Sequence, residues 1–114
     1  MKKRIITNEQ NETLAWFDES KAIKIDEDTT FDGRNQISKA TGGQWDHEAL
    51  FLTASGKWVL NAWSNWQGSN DTYRFMSDNK AYAWIMVNAS PSEIDNLPPV
   101  QRAGFDKFMG SSEV

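Results

Sequence analysis

Cysteine is absent from this chain of 114 residues. That excludes a disulfide framework and cysteine-ligated zinc, and it suits a reducing compartment. Long apolar runs are missing as well. The N-terminus reads MKKRIITNEQ, and its basic run is followed by only two isoleucines before the polar stretch Thr7–Thr13. Neither the apolar segment of a secretory signal nor the roughly 18 residues of a membrane span can be found. The expectation is a cytoplasmic protein with no membrane partner. Histidine occurs once, at His47. A multi-histidine zinc site is therefore excluded, and no metal or cofactor is expected. Basic residues are in deficit, 12 Lys and Arg against 16 Asp and Glu, for a net charge of −4. A nonspecific nucleic-acid binder needs a basic stripe to displace counterions, so direct nucleic-acid binding is not expected.

What is present describes a folded domain. Apolar content of 39% and charged content of 25% are those of a globular protein. The length suits one domain with one core. Half of the acids (Glu9, Glu12, Asp18, Glu19, Asp26, Glu27, Asp28 and Asp32) lie between residues 9 and 32, against only Lys21 and Lys24. Such a lobe is ordinarily a solvated face and its turns; as a functional feature it would steer a basic partner, with Asp26, Glu27 and Asp28 as its electrostatic centre.

Tryptophan is the strongest compositional signal. Thr41–Trp66 holds Trp45, Trp58, Trp63 and Trp66, four of the six tryptophans, and its only charged residues are Asp46, Glu48 and Lys57. One indole carries roughly 150–250 Å² of mostly apolar surface, so the segment is core, binding surface, or both.

Local patterns place these residues on strands. Arg4–Thr7 and Thr13–Phe17 read as strands around the turn-rich Asn8–Glu12. Lys21–Asp26 is a third strand or one helical turn, Asp26–Arg34 a polar loop turning at Asp32-Gly33, and Ile37–Gly43 a second connection. Glu48–Thr53 and Lys57–Asn65 flank Ala54-Ser55-Gly56 and predict a hairpin. With Ser55-Gly56 as a two-residue turn, Thr53 pairs with Trp58, Phe51 with Leu60 and Ala49 with Ala62, a face extended by Trp66. The other face then carries Leu50, Leu52, Val59 and Trp63; a three-residue turn changes the pairing but leaves both faces apolar. A sheet with a solvated face alternates more cleanly, so both sides should be covered. Gln67–Asp71 reads as a turn and Thr72–Met76 as a strand. A helix capped by Ser77 or Asp78 runs to about Asn88, with Ala81, Trp84, Ile85 and Asn88 as its buried stripe. Ser90-Pro91 ends it, Ser92–Asn96 forms a helical turn, and Val100–Met109 a short docking helix. The predicted fold is α+β: a small, mostly antiparallel sheet with one main helix on it and a short C-terminal helix. Residues 1–110 form the domain and 111–114 a flexible tail.

Few residues offer catalytic chemistry. In Asp46-His47-Glu48 an imidazole meets carboxylates, but neighbours on a strand point to opposite faces, so adjacency makes no dyad. His47 is the weak catalytic candidate. Ser38, Thr41 and Ser55 sit in no nucleophile motif, and Thr41-Gly42-Gly43 lacks the lysine of a phosphate loop. Trp58, Asn61, Trp63, Asn65, Trp66 and Gln67 combine aromatic faces with amides, which suits a sugar, nucleobase or peptide. Their ordinary reading is core plus turn.

TGGQWDHEALFLTASGKWVL and SNWQGS, followed by SDNKAYAWIMVN, resemble a group of small prokaryotic proteins of bacterial chromosomes and mobile elements. The resemblance covers roughly residues 30–90, with FDGRNQIS as its upstream part. It implies a provenance and no activity; small acidic proteins of mobile elements often act by binding a host or rival protein. The leading expectation is a non-enzymatic protein that binds another macromolecule, a protein partner in particular, through the Trp-bearing face, the acidic lobe or both. A homodimer through the second sheet face is the intermediate case. The alternatives are a small-ligand module using tryptophan stacking and, third, an enzyme centred on His47.

Overall fold

A computed structural model of the chain describes residues 1–66, 68 and 70–114. The chain opens with a hairpin of β1 (Lys3–Thr7) and β2 (Thr13–Asp18), in which Ile5 faces Trp16 and Arg4 faces Phe17. Its loop closes because Asn8 Oδ1 accepts from the backbone N–H groups of Gln10 and Glu12. Asn11 takes the left-handed backbone (φ 62°) that asparagine tolerates. A 3₁₀ turn at Glu19–Lys21, capped by Asp18, leads into β3 (Ile23–Asp26).

The expected polar loop and the start of the connection after it hold a second small hairpin, β4 (Thr29–Phe31) with β5 (Gln36–Ser38). Asp32 Oδ1 accepts from the N–H groups of Arg34 and Asn35, and Gly33 supplies φ 101°. Three-residue strands, Thr-Thr-Phe and Gln-Ile-Ser, give no period for a pattern reading to detect.

β6 (Asp46–Leu52), β7 (Trp58–Ser64) and β8 (Thr72–Met76) complete a four-stranded antiparallel sheet in the order β3-β6-β7-β8. The two-residue turn is corrected here. The loop is Ala54-Ser55-Gly56, closed by Thr53 N–H to the Lys57 carbonyl and Gly56 N–H to the Thr53 carbonyl, with Gly56 at φ 86°. Leu52 thus pairs with Trp58, Phe51 with Val59 and Ala49 with Asn61, one residue out of the expected register.

Three helices follow among the described residues: α1 (Asp78–Asn88), α2 (Pro91–Asp95) and α3 (Pro99–Ser112). Ser77 caps α1, and Ser90 with Glu93 forms a capping box on α2. The helix expected to dominate is not the longest: α3 has 14 residues against 11 in α1, and it continues past residue 110 into the expected tail.

Both sheet faces are covered, by different elements. Ile25, Leu50, Leu52 and Trp58 meet Ala81, Tyr82, Trp84 and Ile85 of α1 and Phe105 of α3. Phe51, Val59 and Tyr73 on the other face meet Ile6 and Phe17 of the first hairpin. Each such fully buried large side chain is worth about 1.5–3 kcal/mol. The outcome is three layers, with the main sheet in the middle. Among the described residues no helix is long and apolar enough to cross a membrane.

Candidate functional site

Glu27 follows the last residue of β3, and Asp26 pairs with Ala49, so Glu27 stands beside Glu48 at the end of β6. Its carboxylate turns back onto that strand. Oε1 accepts from the Glu48 backbone N–H at 2.6 Å and from Ser38 Oγ at 2.9 Å, while Oε2 lies 2.7 Å from His47 Nδ1. A carboxylate only accepts, so His47 Nδ1 carries the proton in this bond. His47 Nε2 then accepts from Asn65 Nδ2 at 3.0 Å. The ring stacks on Trp63, its cross-strand partner, at 5.6 Å between centroids. Ser38, Glu27, His47 and Asn65 thus form one chain of hydrogen bonds tying the 36–38 strand, the β3 end, β6 and the β7 end together.

Glu48 points to the helix side, where its Oε1 accepts from Trp84 Nε1 at 3.1 Å. Burial raises the Glu48 carboxyl above its ordinary value; the Trp84 hydrogen bond opposes this, and the Glu27 charge adds to it. Asp46, His47 and Glu48 line an open pocket of about 410 Å³ together with Thr41, Ala62, Trp63, Ser64, Asn70 and Thr72. A larger hollow of about 560 Å³ near Trp58 and Met76 brings together no comparable set of ionisable groups.

Beyond the end of β6 and β7, the Asn65 N–H donates to the Trp45 carbonyl at 2.9 Å and continues the pairing. This brings Trp45 and Trp66 together, ring centroids 5.1 Å apart at 42°. Both are solvent-facing, Trp45 44% exposed and Trp66 61%. Two large indoles at one strand end, standing on a hydrogen-bonded base, form the most distinctive surface feature of the molecule.

The expected binding residues divide. Trp58 is 2% exposed and belongs to the helix-side core, which removes it from any surface contact. Asn61 is buried and donates to the Thr72 carbonyl. Trp63 is half-buried against His47, while Asn65 and Trp66 lie at the strand end. Gln67 falls outside the described residues. The expected acidic centre divides too. Asp26 and Asp28 are exposed and ion-paired with Lys24 and Lys39, whereas Glu27 is largely buried and serves the hydrogen-bond chain. Trp45 was missed as a site residue; extending the expected pairing past Asp46 sets it opposite Trp66, whereas the observed register sets it opposite Asn65, one residue before Trp66.

Both nitrogens of His47 are engaged, and the hydroxyl of the same network, Ser38 Oγ, is buried and committed to Glu27. As it stands, the imidazole is a fastener. Among the described residues no group of three or more His, Asp or Glu side chains is arranged to hold a metal ion. No protein-family model matches the chain, and neither a curated protein nor a solved structure does.

Proposed function

We propose that this protein is a non-enzymatic binding protein that contacts another macromolecule through the strand end bearing Trp45 and Trp66. The observation that carries this reading is the exposed indole pair at 5.1 Å, mounted on strands fixed by the Glu27–His47–Asn65 chain. Interface energy concentrates in aromatic anchors, and a rigid base lowers the ordering cost of binding. The sequence likeness to small proteins of bacterial mobile elements fits an accessory or inhibitor-like role.

The small-ligand alternative draws less support. Of the amides it needs, Asn61 is buried on Thr72 and Asn65 is held by His47, so they do not converge on the indoles. A His47-centred enzyme draws the least, because the ring has no uncommitted nitrogen. The deciding experiment is capture from a bacterial lysate on the immobilised protein, with a folded Trp45→Ala, Trp66→Ala double variant beside it. A protein held by the wild type and released by the variant supports the reading. Equal retention by both removes the indole pair from the interface.

A further inference from the structure

We infer that the occupant of the Trp45–Trp66 surface is a basic segment of a partner protein, received as arginine or lysine side chains against the indoles; this rests on the binding reading above. The face of an indole carries negative electrostatic potential and attracts a cation more strongly than other aromatic rings do. The surroundings add charge of the same sign. The adjoining pocket is lined by Asp46 and Glu48, with no lysine or arginine among its lining residues. Lys57 is the one cation between Thr41 and Trp66, and the whole seven-residue β7 separates it from Trp66. At about 3.3 Å per residue that is beyond the reach of its side chain.

Several acids elsewhere in this chain are neutralised by its own cations. Glu19 takes Lys2 and Arg4, Asp28 takes Lys39, and Arg102 bridges Asp95 and Asp106. Asp46, next in sequence to Trp45 and exposed, has no ion-pair partner among the described residues. An aromatic pair beside an uncompensated acid is complementary to a guanidinium or ammonium group. The same charge disfavours the other occupants. A phosphorylated or nucleic-acid ligand would meet carboxylates, and a second copy would set one Asp46 surface against another on two molecules of net charge −4.

The test is calorimetric titration of the full chain with a capped peptide of alternating arginine and glycine. A counterpart carrying neutral citrulline for every arginine is the control. The arginine peptide should bind at least about tenfold more tightly than the citrulline peptide, with an affinity that falls as salt rises. Trp66→Ala should abolish binding, and Asp46→Asn should weaken it about three- to tenfold and flatten the salt dependence. Both side chains are exposed, so unchanged thermal unfolding certifies the variants. Equal binding of the two peptides, or an Asp46→Asn variant indistinguishable from wild type, overturns the proposal. If no arginine peptide binds while the lysate experiment still yields an indole-dependent partner, the cationic occupant is refuted and the binding reading survives.

Discussion

Three donors converge on the Glu27 carboxylate, from Ser38, the Glu48 backbone and His47, and its removal strands all three. Leaving a buried donor unsatisfied costs about 1–3 kcal/mol, so Glu27→Ala should lose roughly 2–4 kcal/mol in urea unfolding. Glu27→Gln should lose less and report the mechanism. Its amide oxygen can still accept from the Glu48 N–H, but its NH₂ now faces His47 Nδ1. The ring then carries its proton on Nε2, and Asn65 turns its oxygen toward it. Nitrogen chemical shifts of His47 read that reversal; an unchanged tautomer would mean the chain does not run through the ring. Glu48 offers a second residue-scale test. Its native pKa is raised, so its contribution to stability is complete below the ordinary carboxylate range and is lost as pH rises through the raised value. Glu48→Gln keeps an acceptor for Trp84 and removes the charge. It should therefore be more stable than wild type at neutral pH, and the gap should close on acidification. None of these pairings could be read locally: the histidine's carboxylate is not Asp46 or its neighbour Glu48 but Glu27, twenty residues earlier.

Elements with a strong period were legible in advance. α1 follows its Ser77 cap and buries the expected stripe Ala81, Trp84, Ile85 and Asn88, with Tyr82 added. β8 spans Thr72–Met76 as its alternation implies. The β6–β7 register was not legible, because turn length decides it and Ala-Ser-Gly serves two turn types. The packing of α3 on α1 was also hidden, since it depends on one close approach. Gly104 admits the Tyr82 ring so tightly that a Cβ there would collide with the phenol Oη and Cζ. Gly104→Ala should destabilise by about 1–3 kcal/mol despite improved helix propensity. Tyr82→Phe removes the nearer of the colliding atoms and should recover part of that loss. A double-mutant cycle by thermal unfolding measures the coupling; additivity would mean that α3 shifts aside freely.

At the scale of the whole molecule, hairpin, sheet and helices stack as three layers in a body with extents of 41 × 40 × 25 Å. Two apolar sheet faces in the sequence implied a cover on each side, but which element supplied each one depended on long-range packing. The β1–β2 layer is the more weakly built, since only Ile6 and Phe17 of its residues are buried. Ala15 packs against the same cluster, and polar contacts close the open end of the hairpin. Arg4 and Lys2 both reach Glu19 at 3.2 Å, Asp18 accepts from the Lys2 backbone N–H, and the Arg4 guanidinium lies 5.7 Å from the Tyr73 ring centroid. Burial pushes the Glu19 carboxyl up, but the hydrogen bonds from Arg4 and Lys2 outweigh it and hold the group below its ordinary value. The Asp18 carboxyl is likewise lowered, first by the Ser20 hydroxyl and then by the Lys2 N–H. For groups shifted in this direction, the stability they contribute is present above the unfolded pKa and disappears as pH falls through the native one. Acidification should therefore release the hairpin layer while the β6–β7 ladder, sandwiched on both faces, persists. Amide protection of β1 and β2 relative to β6 and β7, followed downward in pH, measures this separation. Glu19→Gln should lower hairpin protection at neutral pH and shallow its acid response. If the hairpin amides of that variant keep the wild-type acid midpoint, the clip is not what couples this layer to pH, and burial of Phe17 and Ile6 alone must hold it.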